Sequence, residues 1–128
     1  MGRVILDSSV LVAANYSQDK HHSLVSKYLS ESPKENQYFI SCISLAESLV
    51  HATRKGHGEE MKNLIVNSVA EVFEVELEIA VFGSQIRAQT NLLLPDSLIS
   101  ATAQIRGCIL WTLDKKLASV HAGAILLN

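Results

Sequence analysis

The feature that most constrains this chain is the recurrence of short apolar runs between longer helix-like stretches. Arg3-Val4-Ile5-Leu6 is β-rich with no polar alternation, the pattern of a strand covered on both faces. Residues 38–41, 72–75 and 124–127 are further strand-like runs, and 108–112 is a strand of continuous apolar character. Helices are expected over 10–14, 19–30, 44–55, 58–70, 77–90 and 95–106. Ser44 is expected to cap the third of them, Pro95 to open the last, and Gly56 and Gly107 to act as stops. In the helix over 19–30, Leu24, Tyr28 and Leu29 are expected to face inward. Strands that alternate with helices and lack polar alternation form a parallel sheet sandwiched between helices. The expected fold is therefore α/β, a three-layer α/β/α arrangement around a central, mainly parallel sheet.

With 128 residues and 48% hydrophobic content, the chain has apolar material for one core, and a single domain over 1–128 is expected. Charged residues make up 19% and the net charge is -2, which excludes both a disordered tail and a polycationic nucleic-acid coat. Contacts to a nucleic acid would have to be local. The apolar opening run is interrupted at Asp7-Ser8-Ser9, too early for a signal peptide or for the roughly twenty residues of a membrane span. A cytoplasmic location away from membranes is expected. Cys42 and Cys108 lack CxxC or Cys/His spacing and are expected to be buried, reduced thiols.

Ligand sites in such folds lie beyond the carboxyl ends of the strands, where the topology switches direction. Asp7 directly follows the first strand, and Asp114 follows the 108–112 strand by one residue. Asp96 sits in the first turn of its helix, where backbone N–H groups favour an anion, and Glu47 lies near the start of the 44–55 helix. Glu47 shares a helical stripe with Ile43 and Val50, so it is expected on a buried face where a carboxylate needs a partner. Asp96 aligns in the same way with Ile99 and Ala103. Each acid taken alone has a plainer role: Asp7 as a helix cap, Asp96 as a first-turn stabiliser, Asp114 as a turn acid, Glu47 as an exposed helix residue. Taken jointly, they fall at strand ends and helix starts that one fold brings together.

Four converging carboxylates repel one another and require protons or cations for neutralisation. An all-oxygen set suits Mg²⁺ or Mn²⁺, whereas zinc prefers Cys or His. Such a metal activates water and neutralises charge at phosphorus, which is phosphodiester hydrolysis. Asp7 and Asp96, one ending a strand and the other beginning a helix, are the expected direct ligands. His21, His22, His51, His57 and His121 show no metal-ligand spacing and are given no catalytic role. Arg54-Lys55 and Lys115-Lys116 stand either as solvated charge or as contacts to phosphates flanking the site.

The segments Val4-Ile5-Leu6-Asp7-Ser8-Ser9-Val10-Leu11, Ser44-Leu45-Ala46-Glu47, Pro95-Asp96-Ser97-Leu98-Ile99-Ser100-Ala101-Thr102-Ala103 and Leu110-Trp111-Thr112-Leu113-Asp114 resemble the PIN-domain family. In size the chain is similar to the small VapC-type toxins of toxin–antitoxin pairs. The resemblance implies a metal-dependent endoribonuclease acting on RNA, held in check by an antitoxin protein and commonly a homodimer. It assigns Asp7, Glu47, Asp96 and Asp114 to the acidic site, with Ser9 and Thr112 as hydrogen-bonding neighbours. Arg87 resembles an arginine that often precedes the third acid. Leu117 stands where many relatives carry a further Asp, which removes a ligand from the second-metal side. Trp111 stands where smaller aliphatic residues are common, as a core residue or a base-stacking one.

Two other readings follow from the same residues. One is a catalytically weak binding module of the same fold; the other is a phosphatase using Asp7 as nucleophile, although Ser9 stands where that chemistry generally needs a second acid. The apolar content of 24–29 and 64–69 leads to the expectation of a homodimer formed through helices.

Overall fold

The computed structural model describes residues 2–128. Five parallel strands form the sheet: β1 (Arg3–Leu6), β2 (Gln37–Ser41), β3 (Glu71–Phe73), β4 (Ile109–Thr112) and β5 (Ile125–Leu126), in spatial order β3-β2-β1-β4-β5. The chain moves outward from β1 to β2 and β3, then crosses to the other side of β1 to add β4 and β5. The switch point lies between β1 and β4, where Val4 pairs with Ile109 and Leu6 with Trp111. This is the place where a doubly wound sheet leaves a crevice at its carboxyl edge.

Seven helices cover the two faces: α1 (Ser8–Asn15), α2 (His22–Glu31), α3 (Cys42–Arg54), α4 (Gly58–Ser68), α5 (Leu77–Gln89), α6 (Leu94–Arg106) and α7 (Lys115–Val120). Alternation along β1 divides the core. Val4 and Leu6 pack with Val10, Leu11, Val25, Ile40, Ile65 and Trp111 on one side of the sheet. Ile5 packs with Phe39, Phe73, Ile99, Leu110 and Leu117 on the other. The three-layer α/β/α arrangement is the one expected from the sequence, and the sheet is wholly parallel.

Several boundaries move for identifiable reasons. The second helix begins at His22 rather than at 19, because the Asp19 carboxylate accepts the His21 N–H and holds 19–21 as a turn. Its fully buried residue is Val25, whereas Leu24, Tyr28 and Leu29 are only half-buried. The third helix follows β2 without a loop, so its cap is Ser41, which accepts from the Ile43 N–H; Ser44 is a buried residue inside the helix. The third strand is Glu71–Phe73, set by pairing of Ser41 with Phe73. Gly107 ends α6 in the left-handed conformation at φ 66°. Cys108 is buried, but Cys42 is half-buried at the start of α3, and both thiols are free.

Helices α5 and α6 approach closely at Gly83. A methyl group there would lie 2.6 Å from Leu98 Cδ2 and 3.3 Å from Leu98 Cα. The second contact is to backbone and cannot be relieved by a rotamer change. Overpacking costs about 1–3 kcal/mol, and replacing a helical glycine returns about 1 kcal/mol. Gly83→Ala is therefore expected to lower the urea unfolding midpoint; a raised midpoint would show the helices free to separate.

Candidate functional site

Asp7 leaves β1 and becomes the N-cap of α1, accepting the Val10 N–H at 3.0 Å. The same oxygen accepts the Ser9 hydroxyl at 2.6 Å, and the other accepts the Thr112 hydroxyl from the end of β4. Ser9 in turn accepts the Leu113 N–H at 3.2 Å, and Thr112 accepts the Asp114 N–H at 2.9 Å. The two strand ends that flank the switch point are thus laced together through Asp7, which is only 3% exposed. Burial pushes its carboxyl pKa up against the three hydrogen bonds, and Asp114 pushes in the same direction.

Asp96 stands in the first turn of α6, half-buried, in a helix whose N-cap, Leu93, provides no side-chain hydrogen bond. Its pKa is pushed up to about 6, first by burial and then by repulsion from Asp114, Asp7 and Glu47, with Lys116 opposing. Asp114, Asp7 and Glu47 therefore all lie within electrostatic reach of Asp96. Asp114 caps α7 by accepting the Lys116 N–H at 2.8 Å. Glu47 is exposed on α3 and accepts a hydrogen bond from the Ser8 hydroxyl. The buried stripe of α3 is Ser44, Ser48 and Ala52, and Val50 is 46% exposed, so the sequence expectation of a buried Glu47 is corrected. The fully buried positions of α3 are these small side chains, with Ile43, Leu45 and Leu49 partly buried beside them, and Glu47 and Val50 face outward.

Two recesses open beside Asp114 and Glu47, and Asp7 and Asp96 line neither of them. One recess is lined by Ser8, Ser9, Leu113 and Asp114, its neighbour by Tyr16, Glu47, Ser48 and His51, and Asp19 forms a wall common to both. Sequence reasoning missed Asp19 and Ser8. The available signal for Asp19 was its place in the polar stretch Ser17-Gln18-Asp19-Lys20 between two helices, where Asp commonly bonds backbone two residues on. Arg87 is exposed in the last turn of α5 and makes no ion pair among the described residues. Leu117 is fully buried and Trp111 is 6% exposed, packed edge-on against Tyr28 and Tyr38, so both belong to the core.

The sign of the Asp96 perturbation carries a prediction for the metal-free protein. Its folded pKa lies above the ordinary 3.8, so the folded state binds more protons between 3.8 and about 6 and loses stability as pH rises through that window. Asp96→Asn is expected to raise the thermal midpoint at pH 7 in EDTA, with the gain shrinking as pH falls to 4. An equal change at both pH values would place its cause elsewhere.

This combination defines a doubly wound α/β protein with an acidic crevice at its switch point. The chain belongs to the PIN domain family, whose model matches residues 4–122. Its fold is that of a chain in a toxin–antitoxin complex from Klebsiella pneumoniae, at 24% identity, 95% coverage of each chain and TM-score 0.76. It is also that of the Sarcin-Ricin loop cleaving toxin VapC20 of Mycobacterium tuberculosis, at 14% identity, 98% coverage of each and TM-score 0.80. FitAcB from Neisseria gonorrhoeae is similar over 96% of each chain at 18% identity and TM-score 0.77. No curated protein matches the sequence.

Proposed function

We propose that the chain is a metal-dependent endoribonuclease built as one PIN domain, with Asp7, Glu47, Asp96 and Asp114 as its acidic site. The observation that carries this reading is Asp96, a half-buried carboxyl at the start of α6 whose pKa is raised first by burial and then by Asp114, Asp7 and Glu47, with Lys116 as the opposing cation. Such a site is incomplete without added positive charge. Among the described residues, no three Asp, Glu, His or Cys side chains come together closely enough to enclose an ion. The all-oxygen donor set suits Mg²⁺ or Mn²⁺, since Mg²⁺ keeps several waters and uses one or two carboxylates directly. Asp7 and Asp96 would hold the cation, and Glu47 and Asp114 would act through its waters.

Bound there, the cation would neutralise charge developing on an RNA phosphate and lower the pKa of an attacking water. The chain's own contribution is placement. Ser9, Val10 and Thr112 lock the Asp7 carboxylate in one orientation while leaving a lone pair on Oδ2, the oxygen that accepts only from Thr112. Three hydrogen bonds on Asp7 weigh against its use as a phosphatase nucleophile. Asp114, fixed by its own capping bond, keeps its other oxygen free to orient water. Exposed Glu47, tethered by Ser8, can follow a water through the reaction. The test is cleavage of a structured RNA with Mg²⁺, with Mn²⁺ and with EDTA; unchanged cleavage in EDTA would refute the metal-dependent reading.

We further propose that the protein acts as the toxin of a toxin–antitoxin pair, supported by its likeness, over nearly its whole length, to a chain of a toxin–antitoxin complex and to a Sarcin-Ricin loop cleaving toxin. Induced expression should arrest growth, and the product of an adjacent small reading frame should relieve it. A homodimer is also proposed. The apolar surface available for it differs from the sequence expectation, because the 24–29 stretch is largely absorbed into the core. Leu64 is 56% exposed, and Leu77 on α5 is 82% exposed. Light scattering is expected to give twice the chain mass at micromolar concentration, and a monomer there would remove the dimer. No helix is long and apolar enough to cross a membrane among the described residues.

A further inference from the structure

Glu47 and His51 lie at i, i+4 positions of α3 and Lys55, four residues further on, is its C-cap, so an acid, an imidazole and an ammonium form a row stepping about 6 Å at a time along the helix. The recess beside Glu47 shares Tyr16, Gln18 and His51 with a cavity of about 380 Å³ further along α3. The two form a groove that leads away from the acidic crevice. In its corner the Tyr16 and His51 rings stand edge to face, with centroids 6.1 Å apart at 78°. Tyr16 is held there by its hydroxyl, which donates to the Ser48 carbonyl at 2.9 Å. Neither His51 nor Lys55 has a carboxylate partner among the described residues, and no Asp or Glu lines the larger cavity.

We propose that this groove is a nucleotide subsite that binds an unpaired base of the RNA next to the scissile phosphate, with the base against Tyr16 and His51 and its phosphate at Lys55. The proposal rests on the ribonuclease reading for the RNA but not for the binding chemistry. The paired Tyr16 and His51 rings give a base an aromatic surface to lie against, and stacking of this kind requires a base freed from a duplex. An uncompensated ammonium with the His51 imidazole on the same wall suits a phosphodiester, while the second imidazole there, His57, is paired with Glu60 Oε2 at 3.1 Å. Gln18 is exposed and its side-chain amide makes no hydrogen bond among the described residues, which leaves it available to a base edge. A basic wall that continues directly from an acidic, metal-seeking crevice is the charge order a phosphate chain would meet. Aliphatic surface in the groove is confined to Val12, Ala52 and Met61.

The test uses the full chain in EDTA, observed by amide NMR during titration with uridine 5′-monophosphate, adenosine 5′-monophosphate, uridine and inorganic phosphate. Both nucleotides are expected to move the resonances of Tyr16, His51 and Lys55, and phosphate alone only those near Lys55 and His57. His51→Ala and Lys55→Gln, both at exposed positions, should each weaken nucleotide binding about tenfold with the melting temperature unchanged. In the metal-loaded protein, His51→Ala should lower kcat/KM on single-stranded RNA by a similar factor through KM. Three results would overturn the subsite: nucleotides that move nothing in the groove, phosphate that reproduces their whole effect, or a response only to an apolar helical peptide. A wild-type protein that binds nucleotide here but cleaves no RNA would refute the ribonuclease reading and leave the subsite standing.

Discussion

Asp96→Asn is expected to lower RNA cleavage by about a hundredfold or more, since the loss of a direct ligand removes several kcal/mol of charge stabilisation and each 1.36 kcal/mol is a factor of ten. The substitution preserves size and removes only charge. It is a cleaner test than Asp7→Asn, because Asp7 accepts from Ser9, Val10 and Thr112, and an amide there must find a new partner for its N–H₂ group. Thr112 can meet that demand by rotating its hydroxyl, so Asp7→Asn should fold, with some loss of stability. Asp96 gives up only a carboxylate that its surroundings already disfavour. Loss of cleavage together with a higher melting temperature in EDTA is therefore the expected signature, distinct from general damage. Full activity in the folded Asp96→Asn protein would remove Asp96 from the site.

The largest stability effect should come from Trp111→Ala. The indole is 6% exposed, packed edge-on against Tyr28 at 6.1 Å and Tyr38 at 5.7 Å, on the strand that pairs with β1. Truncating a buried Trp costs about 3–5 kcal/mol, because the cavity left behind collapses only in part. That is a large share of the roughly 5–15 kcal/mol that holds a domain of this size folded. The Trp111 carbonyl accepts the Asp7 N–H at 3.2 Å, so loosening β4 here also loosens the link between Asp7 and Thr112. Trp111→Phe should recover much of the loss in chemical denaturation. An unchanged midpoint in Trp111→Ala would mean that the aromatic cluster contributes little.

The parallel sheet was legible because each strand is apolar on both faces, a pattern that needs helices above and below. Asp7 and Asp114 could be placed at the switch point for the same reason, since strand ends are fixed by hydrophobic runs. Helix α7 could not be read: it has six residues, a single buried side chain in Leu117, and no periodicity over so short a span. The misreading of Glu47 has a different origin. A stripe of Ile43 and Val50 looks buried by hydrophobicity, but α3 packs through Ser44, Ser48 and Ala52, and small polar residues carry no such signal. Asp19 reached the crevice by a turn whose side-chain-to-backbone bond outcompeted the start of a helix. The pairing of Tyr16 with His51 joins the end of α1 to α3 across 35 residues of sequence, a distance at which pattern alone says nothing.

The central claim is that these four carboxylates together hold a divalent cation, and paramagnetic broadening of amide resonances by sub-stoichiometric Mn²⁺ tests it most directly. Broadening is expected around Asp7, Glu47, Asp96 and Asp114, reversed by excess Mg²⁺ and much reduced in Asp96→Asn. Broadening centred on another part of the surface, or undiminished in Asp96→Asn, would contradict the account.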